Sequence, residues 1–245
     1  MHWQITTLSI LVFNLLVFGW QESSQAEIML ATPAGLHVGD TFRFVFLTDA
    51  AIDATSPAIA TYDNLVNTEA NSTLGVKYAG NPLAWQAIAS TPTIVAKDHI
   101  GLSHSDQVFL VDGTLVASSI DPFGLWSGIL LHAINKDLSG LVVHNGNEFV
   151  WTGTGPFGLP LSALGNTGLS ATFGVSELAD SRWVSNQPGA AIASHLPLYG
   201  ISQEIIVSVP EPSTRLILGI GSIVFGLWAF ACKRKSQLIV SADAA

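Results

Sequence analysis

Residues 216–232 run without a charged side chain and stop against Lys233-Arg234-Lys235, three of only nine Lys and Arg residues in a chain of 245. At a rise of about 1.5 Å per residue a helix of this length reaches about 26 Å, the short end of what crosses a hydrocarbon core of about 30 Å. Arg215 and Lys233 sit at its two ends, and their long stems snorkel to the headgroups and cover the shortfall. A buried core helix seldom abuts a block of positive charge. The run is therefore expected to cross a membrane once, with the basic cluster keeping 236–245 cytoplasmic and everything before Arg215 outside.

The N-terminus predicts the same orientation. Residues 8–18 (LSILVFNLLVF) form an apolar run of signal-peptide length, and Ser24-Gln25-Ala26 places small residues where signal peptidase needs them. Cleavage after Ala26 leaves a mature start at Glu27. The segment before the apolar run carries no Lys or Arg, only His2 and the terminal amine, to set its orientation.

Just ahead of the C-terminal run stands Val209-Pro210-Glu211-Pro212-Ser213-Thr214. Each proline lacks an amide donor and fixes φ, so the stretch is held extended and outside any sheet, in the form a protease threads. Pro210-Glu211-Pro212, one apolar helix and then Lys233, Arg234 and Lys235, in that order, resemble the PEP-CTERM protein-sorting signal of exported bacterial proteins. The resemblance covers about the last 35 residues. It implies an exosortase-like membrane transpeptidase as partner, which removes the helix and passes the protein from the inner membrane to the cell envelope or an exopolysaccharide matrix. The tail 236–245 is longer and more apolar than the usual basic end.

Residues 27–208 remain for one extracytoplasmic domain with a sizeable core. They carry fifteen acidic and five basic side chains, which argues against nucleic acid, since that partner needs clustered Lys and Arg. The only cysteine, Cys232, falls in the membrane run, so no disulfide supports the domain. Residues 41–48 (TFRFVFLT) read as a strand. A helix is expected from Thr55-Ser56-Pro57, with Ile59, Tyr62, Leu65, Val66 and Ala70 as its buried stripe. A shorter helix is expected over 82–89. Asp112-Gly113 and Asn145-Gly146 predict hairpins over 108–117 and 141–151, and 198–207 reads as a last strand. Residues 153–193, rich in Gly, Ser, Ala and Pro, read as a long loop region. Strand, helices and then several strands make the class α+β.

Short stretches along this domain, Ala84-Trp85-Gln86, Phe149-Val150-Trp151-Thr152-Gly153-Thr154, Arg182-Trp183 and Leu198-Tyr199-Gly200-Ile201, resemble C-type-lectin-like and endostatin-like domains. The resemblance implies a mixed or antiparallel sheet that brings the first and last strands together, with a long irregular excursion between later strands. The cysteines usual there are absent, and Gly200 stands where one is expected after Tyr199. By the same resemblance Asn186-Gln187-Pro188-Gly189 matches part of a calcium-binding loop, with Glu177 and Asp180 as further oxygen ligands and Trp183 as a sugar-stacking ring. Gly189 supplies no side-chain oxygen, and the alternative reading is a surface turn with Trp183 in the core. Ca²⁺ and an exopolysaccharide are the cofactor and ligand this implies.

Enzyme signatures are sparse. His99, His104 and Asp106 lack the spacing of a metal motif and read as solvated loop groups. No G-x-S-x-G elbow or glycine-rich phosphate cradle is present. Asp49 and Asp53 after the first strand could hold a cation or cap the following helix. The expectation is a non-catalytic binding or matrix protein. The alternatives are a purely structural envelope protein and a polysaccharide hydrolase, which would need two of Asp121, Glu148, Glu177 and Asp180 facing each other, one with a raised pKa.

Overall fold

The computed structural model describes residues 27–73, 75–102, 107–118, 124–143 and 149–208. The compact unit ends at Val207. The signal segment 1–26, the sorting motif 209–214, the membrane run 216–232 and the basic cluster 233–235 lie outside the described residues. Among the described residues no helix is long and apolar enough to cross a membrane.

The class is α+β. Strand β1 (Met29–Leu30) pairs with β3 (Lys77–Tyr78), which pairs with β4 (Asn81–Pro82). The main sheet is ordered β5 (Trp85–Ala87), β11 (Tyr199–Ser202), β2 (Thr41–Leu47), β6 (Gln107–Leu110) and β7 (Leu115–Ala117), with β12 (Ile205–Ile206) also on β2. Strands β2 and β6 are parallel, and the other pairings in this sheet are antiparallel. A second sheet is ordered β10 (Asn186–Ala191), β9 (Ser170–Val175), β8 (Phe149–Trp151), all antiparallel.

The alternation of β2 decides the layering, because successive side chains of a strand leave opposite faces. Phe42, Phe44 and Phe46 enter one core with Tyr62, Val66, Ala70, Trp85 and Trp151. Val45 and Leu47 enter another with Val108, Leu110, Ile201, Trp126 and Trp183. All five β2 side chains are at most 1% exposed; the strand is covered on both faces. Burying one such side chain contributes about 1.5–3 kcal/mol. Arg43 is also buried, and its guanidinium donates to the carbonyls of Ser202 and Gly101 at 3.2 and 3.1 Å.

Helix α1 (Ile59–Thr68) follows, prolonged by a wider turn at Glu69–Thr73. It starts two residues later than Pro57 suggests and has no side-chain cap at Ala58. Ser56 instead joins the hydroxyl of Thr61 at 2.8 Å and accepts the Tyr62 hydroxyl on its carbonyl at 2.8 Å. A second short helix, α2, spans Ala96–Ile100.

The helix expected over 82–89 is not formed; that stretch holds β4 and β5. Leu83, Trp85, Ala87 and Ala89 all enter the Phe42–Phe46 core while Ile88 enters the other, a period of two. An edge strand in this position has free backbone groups, and two side chains one turn apart on α1 take them. Asn67 Oδ1 accepts from Trp85 N–H at 3.0 Å and its amide donates to the Trp85 carbonyl. Asp63 Oδ1 accepts from Ala87 N–H at 2.8 Å. Tertiary contacts therefore overrule the local helical preference.

The first hairpin forms, with Gly113 at φ +87°. Its loop is longer than a two-residue turn: Gly113 N–H donates to Leu110 O and Leu110 N–H to Thr114 O, the geometry of a turn closed by a glycine bulge. The second hairpin is replaced by other pairings. Val142 bridges Lys136, and Phe149–Trp151 pairs with β9; Asn145-Gly146 lies outside the described residues. The last strand is divided by Gln203-Glu204 into β11 and β12, both on β2.

The long loop expected over 153–193 carries β9 and β10 within it. These strands lack a run of large apolar residues and are placed by close backbone approach instead. A Cβ on Gly174 would lie 1.8 Å from the Trp183 carbonyl oxygen. Buried hydroxyls tie this sheet to β5's end of the molecule: Thr154 Oγ1 donates to Ser90 Oγ at 2.9 Å, Ser90 Oγ accepts from Ala96 N–H at 3.0 Å, and Thr152 Oγ1 donates to Val184 O at 2.6 Å. At Gly200 a Cβ would come within 2.4 Å of Phe46 and 2.6 Å of Val66. The neighbouring core leaves no room for a side chain at Gly200.

Candidate functional site

Asp180, Trp183 and Asn186 of the lectin-type ligand set are each engaged within the fold. Asp180 opens the short helical turn Ser181–Trp183 by accepting from Arg182 N–H at 3.0 Å. Its carboxylate also takes the Arg182 guanidinium at 2.6–3.1 Å, and those bonds hold it below the usual carboxylate range. Glu177 is exposed. Trp183 is fully buried, its ring 5.9 Å from Trp126 and 5.7 Å from Tyr199, so it presents no face to a sugar. Asn186 and Gln187 stand in β10, where Asn186 is opposite Phe173 and the register shifts before Ala190.

Among the described residues no three His, Cys, Asp or Glu side chains gather closely enough to hold a metal ion. His99 is a correction to the solvated reading: its Nε2 lies 3.0 Å from Asp63 Oδ1, and the side chain is only 13% exposed. His104, Asp106, Asp121 and Glu148 are outside the described residues. Asp53 closes a turn onto Thr55 N–H and hydroxyl at 3.0 and 2.5 Å rather than capping α1.

What the fold does build is an open pocket of about 500 Å³ at the end of β2, lined by Asp49, Ala50, Asn64, Leu65, Thr68, Glu69, Asp137 and Leu138. Three chain segments supply it. Asp49 and Ala50 leave β2; Asn64, Leu65, Thr68 and Glu69 come from α1 and its extension. Asp137 and Leu138 arrive on a segment joined to the strand by the bond from Leu47 N–H to Lys136 O at 2.8 Å.

Each carboxylate is held differently. Glu69 Oε1 and Oε2 accept from the N–H groups of Asp49 and Ala50 at 2.9 and 3.0 Å. Asp137 Oδ1 accepts from Ser139 N–H at 2.8 Å, the Ser139 hydroxyl at 2.7 Å and Leu141 N–H at 2.9 Å. No hydrogen bond to the Asp49 carboxylate is found among the described residues. Asp49 is exposed as a residue, yet partial burial of its carboxyl, then the charge of Asp137, pushes it above the usual carboxylate range. Burial also pushes Glu69 up, against the pull of its two N–H donors, and the charges of Asp49 and Asp137 add to the rise. Among the described residues none of the three pairs with a basic side chain; Lys136, next to Asp137, is turned to Asp112.

Sequence reasoning singled out Asp49 but not its companions. Glu69 follows Leu65 by four residues on the α1 stripe, so a helix packed on β2 brings both to the strand's end; that signal was available. Asp137 and Leu138 follow no periodic element, and only the tertiary pairing of Lys136 with Leu47 delivers them.

No protein-family model matches the sequence, and no curated protein matches it.

Proposed function

We propose that this is an exported bacterial surface or exopolysaccharide-matrix protein, anchored in the inner membrane by 216–232 until an exosortase-like enzyme releases it into the envelope or matrix. The domain before Ser208 is a non-catalytic binding module. The observation that carries the reading is the order Pro210-Glu211-Pro212, uncharged run and Lys233-Arg234-Lys235. A C-type-lectin-like ancestry is supported by the antiparallel neighbourhood of β2 and β11, first and last long strands of the domain, and by a second sheet carried on the excursion between them. Loss of calcium-type sugar binding accompanies that ancestry, since Asp180 is engaged by Arg182 and Trp183 is in the core. Binding resides in the pocket of Asp49, Glu69 and Asp137.

Mass spectrometry of the mature C-terminus, in cells with and without the sorting enzyme, tests the sorting half. Loss of everything beyond the Pro-Glu-Pro region only when the enzyme is present is the expected result; a full-length tail in both makes 216–232 a permanent anchor. One observation favours a hydrolase as second reading, the two raised carboxyls in one pocket. A glycosidic acid must reach the leaving oxygen, whereas both oxygens of Glu69 already accept backbone N–H groups. Turnover of exopolysaccharide that disappears in Glu69→Gln would replace binding with hydrolysis.

A further inference from the structure

We infer that the pocket at the end of β2 binds a small organic ammonium ion, whose charge sits among Asp49, Glu69 and Asp137 and whose apolar stem lies on Leu65 and Leu138. The inference rests on the binding-module reading and names its ligand class. A cavity of about 500 Å³ falls in the range that small-molecule sites occupy, mostly apolar with a few convergent polar groups. It is too roomy and too apolar for a bare cation, which would need a tight cage of oxygens. Charge complementarity selects among organic ligands. Three carboxylates face one space, and no basic side chain of the described residues answers them; the nearby Lys136 spends its charge on Asp112.

The internal hydrogen bonds assign the parts. Glu69 and Asp137 are fixed by backbone donors, so they form a preorganised negative wall that need not reorganise on binding. Asp49, whose carboxylate has no hydrogen-bond partner among the described residues, is the group with open acceptor positions for a ligand N–H. An ammonium supplies several donors on a compact charge, and the apolar side of the pocket rejects its hydration shell but accepts a short alkyl stem. Anions are repelled, and a neutral alcohol gains only the stem.

Isothermal titration of the full-length protein in non-ionic detergent, with n-butylammonium, 1,4-diaminobutane, 1-butanol and Ca²⁺, tests this. Saturable one-to-one binding of the amines is expected, with 1-butanol at least tenfold weaker. Asp49→Asn, which keeps the backbone N–H that Glu69 holds, should weaken the amines about tenfold or more, the loss of one charge-assisted partner. Should that variant fold poorly, Asn64→Lys, at an exposed helical position lining the same space, should abolish amine binding by placing a tethered cation there. Equal affinity for alcohol and amine, Ca²⁺ binding without amine binding, or unchanged affinity in both variants overturns the inference. Amine binding in the titration, together with a full-length tail in cells that carry the sorting enzyme, would sink the sorting reading alone. Exopolysaccharide binding without amine binding would sink the ligand class alone.

Discussion

The main sheet and the excursion sheet of this domain bury their central strands, β2 and β9, by opposite means. In the main sheet β2 sends three phenylalanines to one side and Val45 and Leu47 to the other; large apolar side chains fill the space and the backbones stay apart. In the excursion sheet β9 is Ser-Ala-Thr-Phe-Gly-Val, and the backbones come together because the side chains are small. Hydroxyls of Thr152, Thr154 and Ser90 then satisfy the polar groups that such closeness buries. A core can be specified by what is present at each position or by what is missing, and only the former is written as hydrophobic pattern.

Substitution at Gly174 should test this contrast most severely. A methyl there meets the Trp183 carbonyl, a backbone atom that cannot swing aside, so Gly174→Ala should cost more than about 5 kcal/mol or prevent folding, read by denaturant unfolding. A mild effect would mean that the excursion sheet yields independently of the main one. Phe44→Ala removes a wholly buried ring and should cost about 3–5 kcal/mol without altering expression of a folded domain. Thr154→Val keeps the shape but removes the donor to Ser90, and about 1–2 kcal/mol should be lost; no change would show that the hydroxyl seam merely fills space.

The smallest effect concerns pH at the pocket. Asp49 and Glu69 have folded-state pKa values raised above their unfolded ones. Their contribution is therefore fully present below the unfolded carboxylate range and is lost as pH rises through the raised values. Compared with the native chain, Asp49→Asn should lose less stability across that acidic window, by under about 1 kcal/mol given solvent screening. Thermal melts at matched pH values read the difference; identical slopes would show that neither burial nor the charge of Asp137 raises Asp49.

The same contrast explains what the sequence made legible. β2, α1's stripe and the Asp112-Gly113 turn were readable because alternation, helical spacing and turn chemistry are local. β5 was misread as helix because the groups that stabilise its edge, Asp63 and Asn67, stand on another element. β9 and β10 were hidden because Gly174 signals flexibility in isolation and close approach only in context. The pocket was half legible: Asp49 was in view, Glu69 was implied by helix spacing, and Asp137 depended on a long-range pairing.

The Asp63 and Asn67 side chains that occupy the amides of β5 also bear on self-association. An open sheet margin is where identical molecules fuse, strand onto strand, into fibres. Here the row of donors at Trp85 and Ala87 is already taken, so many copies can stand shoulder to shoulder without that margin serving as a template for polymerisation.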